Sequence, residues 1–448
     1  MPKPATPSRI LIVGGGYVGM YAALRLQRRL RAGEATITVV DPLSYMTYQP
    51  FLPEAGSGNL EPRHVVVPLR RVLTKCDILS GYITGVEHAR KVAYFQPHEG
   101  PVTELPYDVL VIAPGSVSRT LPIPGLREQG VGFKTVAEAI YLRNHVLAKL
   151  DIAASTPDPA VRRRALTFCF IGGGYAGVEA LAELEDMAQA ALKFYRTLRP
   201  ADMCWVLVEA AGRILPEVGP DLGVYTVEQL AKRRIEVRLN TRVESLVDGR
   251  VVLDDGTTFD AETIVWTAGV KPNPMLASTD LPLDEKGRVK ANAFLNVEGT
   301  TDAWTAGDCA RVPDLTTKDS FTSPSAQHAV RQARLLAGNV IASIRGKELE
   351  PYVHSYAGSV ASLGLYKGVA QIYGIKMRGY PAWFMHRSYH MTRMPTFNRK
   401  VRVLSDWTLA LFFQREIVSL GTFSNPRREF ERAAEATPTP RPAPAGRG

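Results

Sequence analysis

The apolar positions of the chain fall into short unbroken runs separated by longer stretches with helical spacing. Two segments, 9–41 and 166–209, repeat one order: an apolar run, a glycine-rich turn, a helical stretch and a second apolar run that ends in an acid. Unbroken apolar runs are typical of parallel strands that are buried on both faces. Strands that alternate with helices predict an α/β fold with right-handed crossovers.

Further patterns extend these two units. Three apolar runs are predicted to return to the sheets, at 107–115, 259–269 and 302–308. Residues 250–257 predict a hairpin with an Asp-Gly turn, and 325–344 carry apolar residues at helical spacing. The sequence therefore predicts two α/β units followed by a helix.

Each unit contains a turn with the spacing Gly-x-Gly-x-x-Gly. The glycines are Gly14, Gly16 and Gly19 in the first turn, and Gly172, Gly174 and Gly177 in the second. The first glycine of such a turn permits the bend, the second lets a pyrophosphate approach, and the third lets helix and strand pack. The phosphates then lie at the helix N-terminus, which favours an anion. Asp41 and Glu209 end the second strands, where a carboxylate binds ribose hydroxyls. A tight turn alone would not explain both acids, so we predict two dinucleotide sites.

Glu209 also bears on which nicotinamide cofactor binds. A carboxylate at this position accepts a 2′-hydroxyl and repels a 2′-phosphate. The next three residues are Ala210, Ala211 and Gly212, and a basic residue follows only at Arg213. We therefore predict a preference for NADH over NADPH.

Composition narrows the setting. A chain of 448 residues, 45% of them hydrophobic, has room for two or three domains. The four cysteines, Cys76, Cys169, Cys204 and Cys309, form no C-x-x-C pair, and we interpret them as reduced structural thiols in a reducing compartment. We expect no metal site, because no ligand cluster appears. No apolar run approaches 18 residues, so any membrane attachment is expected to be peripheral.

The order of first unit, second unit and a returning Thr-Ala-Gly-Asp at 305–308 resembles the two-dinucleotide-binding flavoproteins related to disulfide reductases. The resemblance implies that the first unit binds FAD and that Asp308 contacts the ribityl chain of the flavin. The disulfide reductases use a cysteine pair beside the flavin, and this chain has none at useful spacing. Electrons would then leave the flavin directly, for quinone, ferredoxin or oxygen.

A more specific resemblance, over about residues 9–425, is to type II NADH dehydrogenases, the single-subunit NADH:quinone oxidoreductases. It is carried by 47–53 (TYQPFLP), 172–179 (GGGYAGVE), 265–270 (VWTAGV), 326–329 (AQHA) and 374–383. Pro114 departs from the family, which usually has threonine there. The resemblance implies FAD and NADH as cofactors and quinone as acceptor. It also implies flavin contacts from Gln49, Ala113 and Gly115, and a nicotinamide-side contact from Gly269.

The same resemblance implies three residues with catalytic roles. Gln327 would orient a quinone carbonyl, Glu179 would bind the nicotinamide ribose or influence quinone reduction, and Lys376 would lie near the flavin ring. His328 is a weaker candidate for a proton donor. The alternatives are a polar residue at a helix start for Gln327, an acid that complements the helix dipole for Glu179, and a solvated charge for Lys376.

These inferences give a domain plan with the second Rossmann-like domain inserted in the first. We expect residues 1–120 and 290–345 to bind FAD, 121–289 to bind NADH, 346–433 to form a C-terminal region with amphipathic membrane-facing segments, and 434–448 to be a disordered tail.

The net charge of +10 has one concentrated source. Between 376 and 402 there are seven Lys or Arg, no Asp or Glu, and many interleaved aromatic residues, and the apolar run 409–413 follows. This composition suits an anionic membrane surface. Core packing or a homodimer contact is the alternative, and nothing else suggests nucleic acid. We therefore expect a peripheral enzyme on the cytoplasmic face of the cell membrane. A soluble flavin oxidoreductase with another acceptor and a non-catalytic dinucleotide sensor are the rival hypotheses.

Overall fold

A computed structural model of the chain describes residues 7–354, 358–413, 415, 417–420 and 431. The predicted tail at 434–448 lies outside these residues, as does most of 414–433. The helices run, in chain order, α1 Tyr17–Arg29, α2 Leu52–Gly56, α3 Leu69–Val72, α4 Leu126–Gln129, α5 Val136–Ser155, α6 Pro159–Ala165, α7 Tyr175–Ala191, α8 Pro220–Lys232, α9 Ala326–Ile344, α10 Tyr380–Arg393 and α11 Phe397–Phe412.

The first large sheet has seven strands and carries the first glycine turn. Their spatial order is Ala303–Thr305, Val109–Ile112, Ser8–Val13, Ala35–Asp41, Asp77–Glu87, Val92–Pro97 and Thr103–Pro106. The first five are parallel and the last two join antiparallel. Val13 pairs with Val40 on one side and Ile112 on the other, so the C-terminal ends of three strands meet where the glycine turn begins. Ligands bind at this edge in open α/β sheets.

The second large sheet has five parallel strands, in the order Gly130–Val131, Thr263–Trp266, Thr167–Ile171, Cys204–Val208 and Ile235–Arg238. Every residue of Thr167–Ile171 is buried, as the unbroken apolar run predicted. The run expected at 259–269 divides, however. Thr258–Asp260 pairs with Arg250–Leu253 in the predicted hairpin, and only Thr263–Trp266 enters the sheet. The turn after the hairpin separates the two strands, which a hydrophobicity pattern does not reveal.

Five smaller sheets complete the described strands. In four of them the pairs are Val243–Ser245 with the hairpin, Ser116–Ser118 with Val270–Pro272, Tyr45–Thr47 with Val66–Pro68, and Val289–Lys290 with Ala310–Arg311. The fifth contains the three strands Gly358–Ser362, Gly368–Ile372 and Ile375–Arg378. Helix α9 begins one residue after the predicted start because Ser325 caps it, accepting a hydrogen bond from the N–H of His328 at 3.2 Å.

The C-terminal helices differ from each other in exposure. In α10 the side chains of Trp383, His386 and Arg387 are buried, although the composition of 376–402 predicted a membrane surface for this segment. His386 and Arg387 turn inward because buried carboxylates on the body of the protein pair with them. Helix α11 buries Val403 and exposes Leu404 and Phe412. Among the described helices, none is long and apolar enough to cross a membrane.

Candidate active site

The first glycine turn is held by backbone geometry that only glycine fits. Gly14 has a φ of +98°, and a Cβ added there would lie 2.3 Å from the carbonyl oxygen of Ala113. A Cβ on Gly19 would lie 1.7 Å from the carbonyl oxygen of Gly14. Asp41 closes the turn, because its Oδ2 accepts a hydrogen bond from the N–H of Gly15 at 2.6 Å. Burial raises the pKa of this carboxyl group.

The second turn repeats this construction. Gly172 has a φ of +114°, and a Cβ on Gly177 would lie 2.0 Å from the carbonyl oxygen of Gly172. The carboxylate of Glu209 accepts hydrogen bonds from the N–H of Gly173 at 2.5 Å and of Ala211 at 2.7 Å. Each terminal acid therefore holds its own turn closed and keeps further lone pairs for a ligand.

The middle glycine of each turn faces open space. A Cβ added to Gly16 or Gly174 would meet no protein atom within 4 Å, and the same holds for Gly115 and Gly269, both at positive φ. These openings lie beside the N-termini of α1 and α7, where backbone N–H groups attract an anion. The residues present therefore fit the pyrophosphates of two dinucleotides.

Polar side chains converge beside the first turn. Asp308 Oδ2 accepts a hydrogen bond from the hydroxyl of Ser116 at 2.7 Å, and Lys134 Nζ donates to the same hydroxyl at 2.8 Å. Burial lowers the pKa of Lys134. Gln49 reaches the same region, with its side-chain amide donating to the carbonyl oxygen of Lys134 at 3.3 Å. The sequence named Asp308 and Gln49 but missed Ser116 and Lys134, which lie outside any motif used.

Gln327 and Glu179 meet the same short strand, Gly358–Ser362. The Gln327 amide donates to the carbonyl oxygen of Gly358 at 3.1 Å. Glu179 Oε1 accepts from the N–H of Ser362 at 2.8 Å. The two contacts are four residues apart, or about 13 Å along a strand. The structure thus brings these two candidates to opposite ends of one strand.

Glu179 is not a solvated acid at a helix start. It is only 7% exposed, and its Oε1 lies 3.2 Å from Nε2 of His386 in α10. One turn further along α7, Glu183 is fully buried and accepts hydrogen bonds from Ser57, Asn59 and Ser362. Burial and the nearby carboxylate of Glu54 raise the pKa of Glu183.

Lys376 lies apart from these carboxylates. It is half-exposed on the strand Ile375–Arg378, and its Nζ is 2.8 Å from Asp221 of α8. Its proposed position near the flavin ring therefore stays a prediction. His328 is hydrogen-bonded through Nδ1 to the hydroxyl of Tyr352 at 2.9 Å, and burial lowers the pKa of its imidazole.

The sequence patterns did not reveal the residues of α10 and α11 that face the buried carboxylate of Glu54 in α2. Arg387 Nη2 donates to Glu54 Oε2 at 2.8 Å, and Trp407 Nε1 donates to the same oxygen at 2.8 Å. The sequence did offer one sign of an inward-facing side, since His386 and His390 are one helical turn apart. This sign was overlooked because the whole segment was interpreted as a charged surface.

The cysteines take no part in this arrangement. All four are free, as predicted; Cys169 and Cys309 are buried, Cys76 is half-buried and Cys204 is exposed. Burial raises the pKa of Cys309, next to Asp308, to about 11 and keeps it a thiol. Among the residues with described positions, no group of three or more His, Cys, Asp or Glu could hold a metal ion.

Comparison with known proteins agrees with this geometry. The type II NADH:quinone oxidoreductase Ndh of Mycobacterium tuberculosis is 28% identical, over 97% of this chain and 96% of the relative. The internal alternative NAD(P)H-ubiquinone oxidoreductase A1 of Arabidopsis thaliana is 27% identical, over 93% and 86%. The resemblance to type II NADH dehydrogenases is therefore confirmed.

The fold is also that of a solved relative. The structure of NDH2 from Plasmodium falciparum in complex with NADH superposes with a TM-score of 0.83, at 18% identity, over 92% of this chain and 99% of that one. A family model for pyridine nucleotide-disulphide oxidoreductases matches residues 8–333. With both glycine turns inside that match, the chain belongs to the pyridine nucleotide-disulphide oxidoreductase family.

Proposed function

We propose that this chain is a FAD-dependent NADH:quinone oxidoreductase that does not pump protons. The observation that carries the proposal is the extent of the similarity to type II enzymes, which includes the C-terminal region beyond residue 333. In this reaction NADH gives a hydride to the flavin, which passes two electrons to a quinone. The flavin supplies the redox chemistry, and the protein positions and shields it.

The chain is proposed to divide between the two cofactors along the lines of its two large sheets. We propose that residues 1–120 and 290–345 bind FAD through the first glycine turn, Asp41, Gln49, Ala113, Gly115 and Asp308. Residues 121–289 would bind NADH through the second turn, Glu209 and Gly269. Support comes from the return of Ala303–Thr305 to the first sheet and from the position of Gly130–Val131 in the second.

Quinone is proposed to bind between α9 and the strand Gly358–Ser362. Gln327 lies at one end of this strand, and its amide is available to orient a carbonyl once it leaves Gly358. Glu179 lies at the other end and would take part in proton transfer. Lys376 is proposed to line the entrance, with its ion pair to Asp221 broken when a ligand enters.

The membrane contact is proposed for α11 rather than for the whole basic segment. Phe397, Val401, Leu404 and Leu411 recur at helical spacing and are exposed, while Val403 and Trp407 face the body. Arg399, Lys400 and Arg402 supply positive charge on the same helix. Such a helix suits the surface of an anionic bilayer, here the cytoplasmic face of the cell membrane. A homodimer that uses this face is the competing proposal.

The test is anaerobic reduction of the purified protein by NADH, followed by addition of a soluble quinone while the flavin absorbance is recorded. We expect rapid bleaching with NADH, much slower bleaching with NADPH, and rapid recovery on quinone. Bleaching that recovers only with oxygen or ferredoxin would replace quinone as the acceptor. Absence of bleaching would reject the flavin–NADH assignment.

A further inference from the structure

The side chain that faces Glu179 belongs to a buried histidine. His386 is 2% exposed, and its Nε2 lies 3.2 Å from Glu179 Oε1. Its other ring nitrogen, Nδ1, is buried without a hydrogen-bond partner among the described residues. A buried polar atom without a partner costs about 1–3 kcal/mol, so this imidazole is a costly choice for a purely structural pairing.

A second histidine extends the contact outward. His390 follows one helical turn after His386, and the centroids of the two rings are 4.6 Å apart. Nδ1 of His390 lies 3.3 Å from the hydroxyl of Tyr48, which itself donates to the His390 carbonyl oxygen at 3.0 Å. His390 is only partly buried, whereas His386 is 2% exposed, so the row Glu179–His386–His390 runs from a buried carboxylate to a less buried imidazole.

The surroundings of this row are both acidic and basic. The charged or titratable groups near it among the described residues include Glu54 of α2, Glu183 and Asp186 of α7, Arg387 and Tyr389 of α10, Tyr48 and Arg415. Arg387 is engaged by Glu54, and Ser362 bridges Glu179 and Glu183 by donating from its N–H to the first and from its hydroxyl to the second. Burial and the neighbouring His386 lower the pKa of His390 well below its usual value. A neutral imidazole has one donor and one acceptor nitrogen, as a relay of protons requires.

We propose that His386 is a positioning residue that returns a proton to Glu179 during quinone reduction, with His390 as the outer member of the relay. This inference rests on the proposed function. The net reaction is NADH + H⁺ + quinone → NAD⁺ + quinol. NADH supplies both electrons and one hydrogen as hydride, so one proton must come from solvent. That proton passes from His390 to His386 and then to Glu179, which delivers it to the quinone oxygen.

The test compares His386→Gln with wild type in the two half-reactions. Glutamine keeps a donor toward Glu179 but does not titrate. Bleaching of the flavin by NADH should be unchanged, and reoxidation by quinone should slow by about 10²-fold, the scale of general acid catalysis. In wild type the reoxidation rate should fall as pH rises and should be slower in D₂O. In the variant it should be low and flat with pH.

The matched control is His88→Gln. His88 is also a buried histidine whose Nε2 faces a carboxylate, Asp302, at 3.0 Å, but it lies in the first domain away from both glycine turns. It should keep the wild-type rate and pH profile. His386→Asn serves as a second variant if His386→Gln binds no flavin.

Each outcome separates the relay from the proposed function. Wild-type protein that is not reoxidised by quinone would reject the proposed function itself. Wild-type reoxidation that is flat with pH and insensitive to D₂O would reject the relay alone. A folded His386 variant with the wild-type rate and pH profile would also reject it, and His386 would then be only a structural partner of Glu179.

Discussion

At the scale of single residues, the glycines of the second turn fall into two kinds that substitution can separate. A Cβ on Gly174 would meet open space, whereas a Cβ on Gly177 would collide with the turn itself. Gly174→Ala should therefore keep its thermal stability and its flavin and lose affinity for NADH by at least about tenfold, or about 1.4 kcal/mol. Gly177→Ala should lose about 1–3 kcal/mol of stability through overpacking. Thermal denaturation and NADH titration measure both; equal NADH affinity in Gly174→Ala and wild type would contradict the assignment.

The charge of Glu209 is expected to decide between NADH and NADPH. Glu209→Gln removes the repulsion of a 2′-phosphate, and its remaining amide oxygen can still accept from Gly173. The ratio of kcat/KM for NADH to that for NADPH should fall by about tenfold or more, since like-charge contacts cost several kcal/mol. Glu244→Gln, an exposed change in the same domain with the same net charge effect, should leave the ratio unaltered. An unchanged ratio in Glu209→Gln would place the specificity elsewhere.

At the scale of elements, α10 and α11 are fastened to α2 through one buried carboxylate. Arg387 pairs with Glu54 and stacks on Trp383 and Trp407, at 4.2 and 4.8 Å from their ring centroids. Arg387→Met would leave the Glu54 carboxylate buried without its cation, so we expect a loss of about 3–5 kcal/mol. Urea denaturation followed by flavin fluorescence measures this loss.

The control for that loss is Arg378→Met. Arg378 also stacks on an aromatic ring, Tyr225, and faces a carboxylate, Asp221, but it is half-exposed. Exposed ion pairs contribute about 0–1 kcal/mol, so this variant should remain close to wild type. If the free energy of unfolding falls by the same amount in both variants, the burial of Glu54 does not explain the contribution of Arg387 to stability.

The helices and strands also show which parts of the fold could be predicted from the sequence. Both glycine turns, the strands before them and the start of α9 follow from local rules, because spacing, caps and unbroken apolar runs act within a few residues. The inward orientation of His386 and Arg387 depends instead on Glu179 and Glu54, which lie more than 200 residues earlier in the chain. A composition of basic and aromatic residues cannot reveal such partners, and so it indicated a surface at these two positions, where the structure has an interior.

At the scale of the whole molecule, one helix, α7, begins at the second glycine turn and carries the buried carboxylates Glu179 and Glu183. The two glycine turns lie at the C-terminal ends of the two parallel sheets, and the buried carboxylates lie between α7 and α10. The strand Gly358–Ser362 contacts Gln327 of α9 at one end and Glu179 of α7 at the other. A site for quinone at this strand would therefore lie beside the buried carboxylates that we propose supply the proton.

The membrane face of α11 gives the last prediction. Phe412 is 78% exposed, and Phe412→Asp would place a charge where an apolar side chain should enter the bilayer surface. The variant should keep its thermal stability and its NADH half-reaction, because the side chain is exposed, and should sediment far less with anionic vesicles. Phe194→Asp, at a position 65% exposed in the proposed NADH-binding domain, should bind vesicles almost as wild type does, apart from its added charge. If both variants sediment like wild type while Phe412→Asp alone converts a dimer into monomers, the exposed face of α11 joins two copies of the chain instead of meeting a membrane.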